Sequence, residues 1–132
     1  MKFATAAPAG SRDAIRERHR RERVASPTIR TRYPELKSLQ IEFEFSDSTS
    51  FLPSPQVTVF HPPAPAYFHF ACPYSDCGGE FNLTGQVDLA VSSRDSNAGG
   101  QLSCAGTRHR GVACTLSLDY SISPSWPEPA AS

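Results

Sequence analysis

Apolar and polar residues alternate strictly over residues 39–45. Leu39, Ile41, Phe43 and Phe45 fall on one side, and Gln40, Glu42 and Glu44 on the other. Successive side chains of a strand point to opposite faces, so this run predicts a half-buried β-strand. The longest alternation lies near the other end of the chain. Val112, Cys114, Leu116, Leu118, Tyr120 and Ile122 share one face, opposite Thr115, Ser117, Asp119 and Ser121. Shorter strands are expected over 57–60, 66–72 and 101–104. Beyond Gly85, Val87, Leu89 and Val91 again fall on alternating positions, which continues the β pattern. Residues 46–55, 92–100 and 105–111 are polar and read as loops. His61-Pro-Pro-Ala-Pro65 reads as a turn or bulge, because proline cannot join a central ladder.

The N-terminal residues follow a different rule. Residues 1–10 are rich in Ala, Pro and Gly and predict no order. Ser11 or Asp13 would cap a short helix running to about Val24, supported by Glu17–Arg21 and Arg18–Glu22 pairs at i,i+4. Only Ala14, Ile15 and Val24 are apolar there, so no stripe is available for burial. Ser26-Pro27 would end the helix, and residues 28–34 read as a linker. Three segments result: a basic arm and linker over 1–34, a β-rich domain over 35–123, and a disordered Pro/Ser/Ala tail over 124–132.

Charge sharpens that division. The 132 residues carry no formal net charge. Residues 1–37 nevertheless hold ten Lys/Arg against four Asp/Glu, and residues 38–132 hold three against nine. A basic arm of net +6 is therefore joined to an acidic body of net −6, the mark of an interaction tail. Arg16, Arg18, Arg20, Arg21 and Arg23 would meet nucleic-acid phosphates, with Arg108-His109-Arg110 as a second contact. Against this, Glu42, Glu44, Asp88 and Asp119 would line the polar strand faces, the reverse of a phosphate-tracking surface. Phe68, Phe70 and Phe81 are the right residues to stack on bases, but in a body this size they are expected to fill the core.

The four cysteines form two pairs, Cys72 with Cys77 and Cys104 with Cys114, each where a strand meets a turn. Two separated pairs supply the four thiolates of a tetrahedral structural metal site, and a small domain gains much from such a staple. Gly78-Gly79 after Cys77 lets backbone amides approach the sulfurs, and Cys104-Ala105-Gly106 offers a similar shape. Other readings of the same residues stay open. One histidine, His69 or His109, would replace a cysteine, or the thiols are unliganded, Cys114 being on an apolar strand face. A catalytic metal would need an open position and an acid or base, for which Asp76 and Glu80 are the nearest in sequence. Cys104 or Cys114 with His109 as a nucleophilic pair lacks a third partner. The Cys72–Cys77 spacing is longer than that of the usual redox motif.

The segment Phe70-Ala-Cys-Pro-Tyr-Ser-Asp-Cys-Gly-Gly79, followed by Leu102-Ser-Cys-Ala-Gly106, resembles the two cysteine knuckles of zinc ribbons. The likeness covers residues 72–114, and the whole chain is similar to small bacterial proteins that carry one such site. It implies Cys72, Cys77, Cys104 and Cys114 as ligands of one structural zinc ion. The chain departs from the pattern in having four residues inside the first knuckle and nine inside the second.

The expected fold is mainly β, a small antiparallel sheet stapled by one structural zinc, with a short basic N-terminal helix or disordered arm. No phosphate loop, nucleotide fingerprint or zinc-protease helix is present, so no enzyme is expected. Residues 1–10 lack an apolar core of signal-peptide length and no run is long enough to span a bilayer. A cytoplasmic location is the expectation, where paired cysteines favour metal over disulfide. The expected role is a protein-binding adaptor module; the alternative is a nucleic-acid-binding accessory protein using the Arg-rich arm.

Overall fold

A computed structural model describes residues 12–47, 55–74 and 76–127. The expectations for residues 1–10, for the Ser11 cap, for most of the 46–55 loop and for the end of the tail lie outside these residues. The chain order is α1 (Arg12–Ala25), α2 (Ile29–Arg32), β1 (Ser38–Ser46), β2 (Gln56–Phe60), β3 (His69–Ala71), β4 (Glu80–Asn82), α3 (Thr84–Ser92), β5 (Ala98–Ser103) and β6 (Ser117–Ser125), with a single 3-10 turn at His109–Gly111. The architecture is mainly β. Four strands form one antiparallel sheet in the order β2-β1-β6-β5, and β3 and β4 form a separate antiparallel pair.

The alternation over β1 is realised. Leu39, Ile41 and Phe43 are buried while Gln40, Glu42 and Glu44 are exposed. In register, Ile41 meets Ile122, Phe43 meets Tyr120 and Phe45 meets Leu118, so β1 and β6 present one joint apolar face. Phe68 and Phe81 are buried in the core beneath it. Phe68 lies between Phe60, edge-on at 5.2 Å, and Tyr33, stacked at 6.4 Å. Phe70 is half-buried, its ring 4.7 Å from that of Phe43. Core filling is thus the observed part played by these aromatics.

Several expectations are corrected. Residues 84–92 are a helix, not a strand. Val87, Leu89 and Val91 alternate, but Leu83, Val87, Ala90 and Val91 also recur at i, i+4, i+7 and i+8, a helical stripe. That stripe wins because it buries Leu83, Val87 and Ala90 and leaves Leu89 at 65% exposure. Asn82 helps to start the turn, its Oδ1 accepting the Thr84 N–H at 2.9 Å. The last strand starts at Ser117, not at Val112, which is exposed. It also runs into the expected tail, since Pro124 pairs with Leu39 and Ser125 with Ser38. Proline is tolerated there because β5 covers β6 only as far as Ile122. β5 begins at Ala98, inside the expected 92–100 loop.

The expected linker is a packed element. Thr28 Oγ1 accepts the Thr31 N–H and starts α2. Ile29 and Tyr33 are buried in the core. The Ile29 N–H donates to Ala64 O at 2.8 Å and the Ala66 N–H to Pro27 O at 2.8 Å, which lashes this segment to the proline turn. Helix α1 lies against β3. It does bury a stripe, of Ile15 and His19 one turn apart, and the imidazole is why an apolar count misses it.

Arg32 and Tyr33 both bond Asp88 on α3. Arg32 Nη2 lies 2.8 Å from Asp88 Oδ2, and the Tyr33 hydroxyl donates to Oδ1. Burial pushes the Asp88 carboxyl up, but these two bonds outweigh it and hold the group below its ordinary range. A depressed carboxylate stabilises above the usual range near pH 4 and loses that contribution as pH falls through its folded value. Because the side chain is 45% exposed, the pair is screened. Asp88→Ala is therefore expected to cost about 0.5–1 kcal/mol at neutral pH. Thermal melts from about pH 7 to about pH 3 should show the gap to the native chain narrowing; a constant gap would contradict this role for the carboxylate.

Candidate metal centre

Two short segments build the centre. In the first, β3 ends at Ala71 and delivers Cys72, whose N–H donates to Gly79 O at 3.0 Å across the turn. Cys77 stands inside that turn, its N–H bonded to Tyr74 O at 3.1 Å. In the second, Cys104 follows β5 and its N–H donates to Leu116 O at 2.9 Å. Cys114 returns with its N–H on Gly106 O at 3.0 Å. The two segments mirror each other. Each has a Cys-x-Gly knuckle, and the glycine carbonyl of each accepts from the other cysteine of its pair.

The Gly79 N–H points to Cys77 Sγ at 3.3 Å, and the Gly106 N–H to Cys104 Sγ at 3.4 Å. This is the amide approach expected from Cys77-Gly78-Gly79 and Cys104-Ala105-Gly106. The knuckles face each other so closely that neither glycine has room for a side chain. A Cβ on Gly79 would overlap Cys104 Sγ and come within 3.1 Å of Gly106 N. One on Gly106 would stand 2.5 Å from Gly79 N and 2.7 Å from Cys77 Sγ.

All four cysteines are free and buried. Their sulfurs gather across the segments: Cys72 Sγ is 3.9 Å from Cys114 Sγ, and Cys77 Sγ is 3.6 Å from Cys104 Sγ. Four thiolates at about 2.3 Å from a common ion stand about 3.8 Å apart at the corners of a tetrahedron. These two separations match that figure, and with one sulfur from each residue within 4.8 Å of the others, the four together could hold a metal ion. Burial pushes the Cys72 thiol up, and pushes Cys104 up to about 12. Burial acts the same way on Cys77, but the Gly79 N–H and the neighbouring thiols donate to its sulfur and hold it below the ordinary range. A dication among the four would remove the penalty on the thiolate forms, with release of protons.

No match was returned by comparison with protein-family models, curated proteins or solved structures. The likeness to zinc ribbons therefore rests on the cysteine knuckles themselves.

The other sequence candidates fall elsewhere. The tetrad is all cysteine, and neither His69 nor His109 joins it among the described residues. The His109 N–H donates to Asp76 Oδ2 at 3.1 Å, and Arg108 Nε lies 3.0 Å from Asp76 Oδ1 with its guanidinium 3.8 Å over the Tyr74 ring. The 105–111 loop is thus tied back to the first knuckle. Glu80 is taken by Arg18 and by His19 Nε2 at 2.8 Å. Of the arm arginines, Arg20 and Arg21 pair with Glu17, Arg18 with Glu22 and Glu80, and Arg23 lies 5.3 Å over the Tyr67 ring. Arg16, Arg20 and Arg23 also border a cavity of about 410 Å³ between α1 and the aromatic face of β1 and β3. The residues that sequence reasoning missed are His19, Glu22 and Tyr67, which meet around His69. No helix among the described residues is long and apolar enough to cross a membrane.

Proposed function

We propose that this chain is a non-enzymatic protein-binding module whose fold is held by one structural zinc ion on Cys72, Cys77, Cys104 and Cys114. The observation that carries the reading is the closure of the tetrad. Four buried sulfurs gathered within 4.8 Å of one another would fill the coordination of a zinc ion and leave no position for substrate. Asp76 and Glu80, the acids nearest in sequence, are already bonded to Arg108 and to Arg18 and His19. Such a site serves a fold rather than a reaction. Four free cysteines also fit a reducing compartment such as the cytoplasm.

The binding surface we assign is the outer strand β2. Among the described residues it has one neighbour in the sheet, and it exposes Val57 and Val59 at 53% and 46%. An unpaired edge with apolar side chains suits addition of a strand from a partner protein.

Elemental analysis of protein purified without chelator is expected to give zinc in the tetrad. After exchange to cobalt, its thiolate charge-transfer band should be unmoved by azide or cyanide, since a full shell has no position for them. A shifted band would mean an open, catalytic type of site. For the binding role, Val59→Lys should abolish retention of a protein partner while leaving the metal in place. Equal retention by both forms would remove β2 as the binding edge.

A further inference from the structure

Outside the cysteines, a second group of metal-ligating side chains meets where α1 lies on β3. His19 and Glu22 are three residues apart on α1, which places both on one helix face, and His69 opens β3. One donor atom from each of the three lies within 4.8 Å of the others. We propose that His19, Glu22 and His69 form a second metal site, for a divalent ion of the zinc, cobalt or nickel kind, bordering the cavity between α1 and β1.

Donor chemistry selects that class of ion. Imidazole nitrogen suits zinc, cobalt, nickel and copper, whereas magnesium and calcium take oxygen ligands. Two imidazoles and a carboxylate fill three positions. His19 and His69 both border the 410 Å³ cavity, so water or a small anion from that side would complete the set. Arg16, Arg20 and Arg23 on the same cavity wall favour an anion there. A tetrahedral set of nitrogen and oxygen donors at about 2.0 Å from the ion has edges of about 3.3 Å. The three groups must therefore draw in by at most about 1.5 Å, and Glu22, whose side chain is 44% exposed, has the freedom to move.

The surroundings hold these groups in place. His19 is 4% exposed, the one polar residue of the buried set among the described residues. Its Nε2 lies 2.8 Å from Glu80 Oε1, and His69 Nδ1 lies 4.0 Å from the same oxygen. Metal-binding histidines characteristically keep a carboxylate as a hydrogen-bond partner, which fixes the ring, and the His19–Glu80 bond is of this kind. The Tyr67 hydroxyl donates to Glu22, and the Tyr67 ring stacks on His69 at 4.6 Å. Arg18 is the one guanidinium paired with both Glu22 and Glu80 among the described residues.

Cobalt(II) titration of the full chain tests the proposal, with bound metal counted by elemental analysis after gel filtration. The native chain is expected to hold one equivalent more than either His69→Ala or Glu22→Gln. Removal of a direct ligand should weaken that equivalent by more than the roughly 10–100-fold typical of outer-shell changes. Far-UV circular dichroism reports that each variant is still folded. An equal count in the native chain and both variants, whatever its value, would overturn the site. Because the readout is a difference, it does not depend on the zinc reading of the cysteines.

Discussion

Cys77→Ser is expected to abolish the folded state. Apparent binding free energies of structural zinc in small domains are about 10–16 kcal/mol at neutral pH, and the ligand set does not exist in the unfolded chain, so binding energy is folding energy. The whole stability of a domain this size is about 5–15 kcal/mol. On the zinc reading proposed above, loss of one of four thiolates therefore takes away a share of binding energy comparable with the stability of the fold. Cys77 is also the sulfur that accepts the Gly79 N–H and lies 3.6 Å from Cys104, so its replacement breaks both knuckles at once. Far-UV circular dichroism and metal content, measured on the same sample, check this. A metal-free variant with a native melting curve would show that the fold does not depend on the ion.

The second large effect is expected at a glycine. Gly79→Ala would place a methyl group on Cys104 Sγ and close to the backbone of Gly106. Overpacking in a core costs about 1–3 kcal/mol when neighbours can give, and more when they cannot. Here the neighbours are a sulfur fixed by its cluster and a backbone amide, so several kcal/mol and a sharply weakened metal site should follow. Gly85→Ala is the matched control. Nothing lies within 4 Å of a Cβ there, and the residue is inside α3. Alanine is favoured over glycine in a helix by up to about 1 kcal/mol. Two identical substitutions should thus move the melting temperature in opposite directions. A Gly79→Ala protein that melts with the native chain would show that the knuckles separate more easily than their contact implies.

Strict periodicity made parts of this fold legible. β1 is read directly because one side of Leu39-Ile41-Phe43 is buried and the other is charged. β6 is read from its alternating Leu118, Tyr120 and Ile122, of which Leu118 and Ile122 are buried, though its approach through Cys114 and Leu116 is buried without being strand. Residues 84–92 mislead because Val87 and Val91 fit a period of two as well as a turn of helix, and Ala90 and Leu83 decide between them only once a core is present. The docking of α1 is opaque for a different reason. Its buried face consists of Ile15 and a histidine, and nothing in the sequence marks an imidazole for burial. Likewise Ile29 and Tyr33 are too few to signal that residues 28–34 belong to the core.

The cysteine cluster was the most legible part of the candidate site, since four thiols at two turns have few ways to be satisfied. The nine residues between Cys104 and Cys114 looked too many for a knuckle. They close because Thr107 bridges to Ala113 and the 3-10 turn at 109–111 takes up the excess, with Arg110 at φ 65° and Gly111 at φ 74°. The meeting of His19, Glu22 and His69 joins residues far apart in the chain and is a product of tertiary packing alone.

The position of the cysteines along the chain has a consequence for synthesis. β6 is the inner strand that joins β1 to β5, and it is the last of the described strands to be made. Until it emerges from the ribosome, β1 has only β2 to pair with and its apolar face has no full cover. Cys114 precedes Ser117, so all four thiols leave the ribosome before the strand that completes the sheet. An ion captured at that moment would pin the two knuckles together and hold β5 ready as one rail for β6. Metal supply during translation would then bear on how much of the nascent chain is diverted to aggregation.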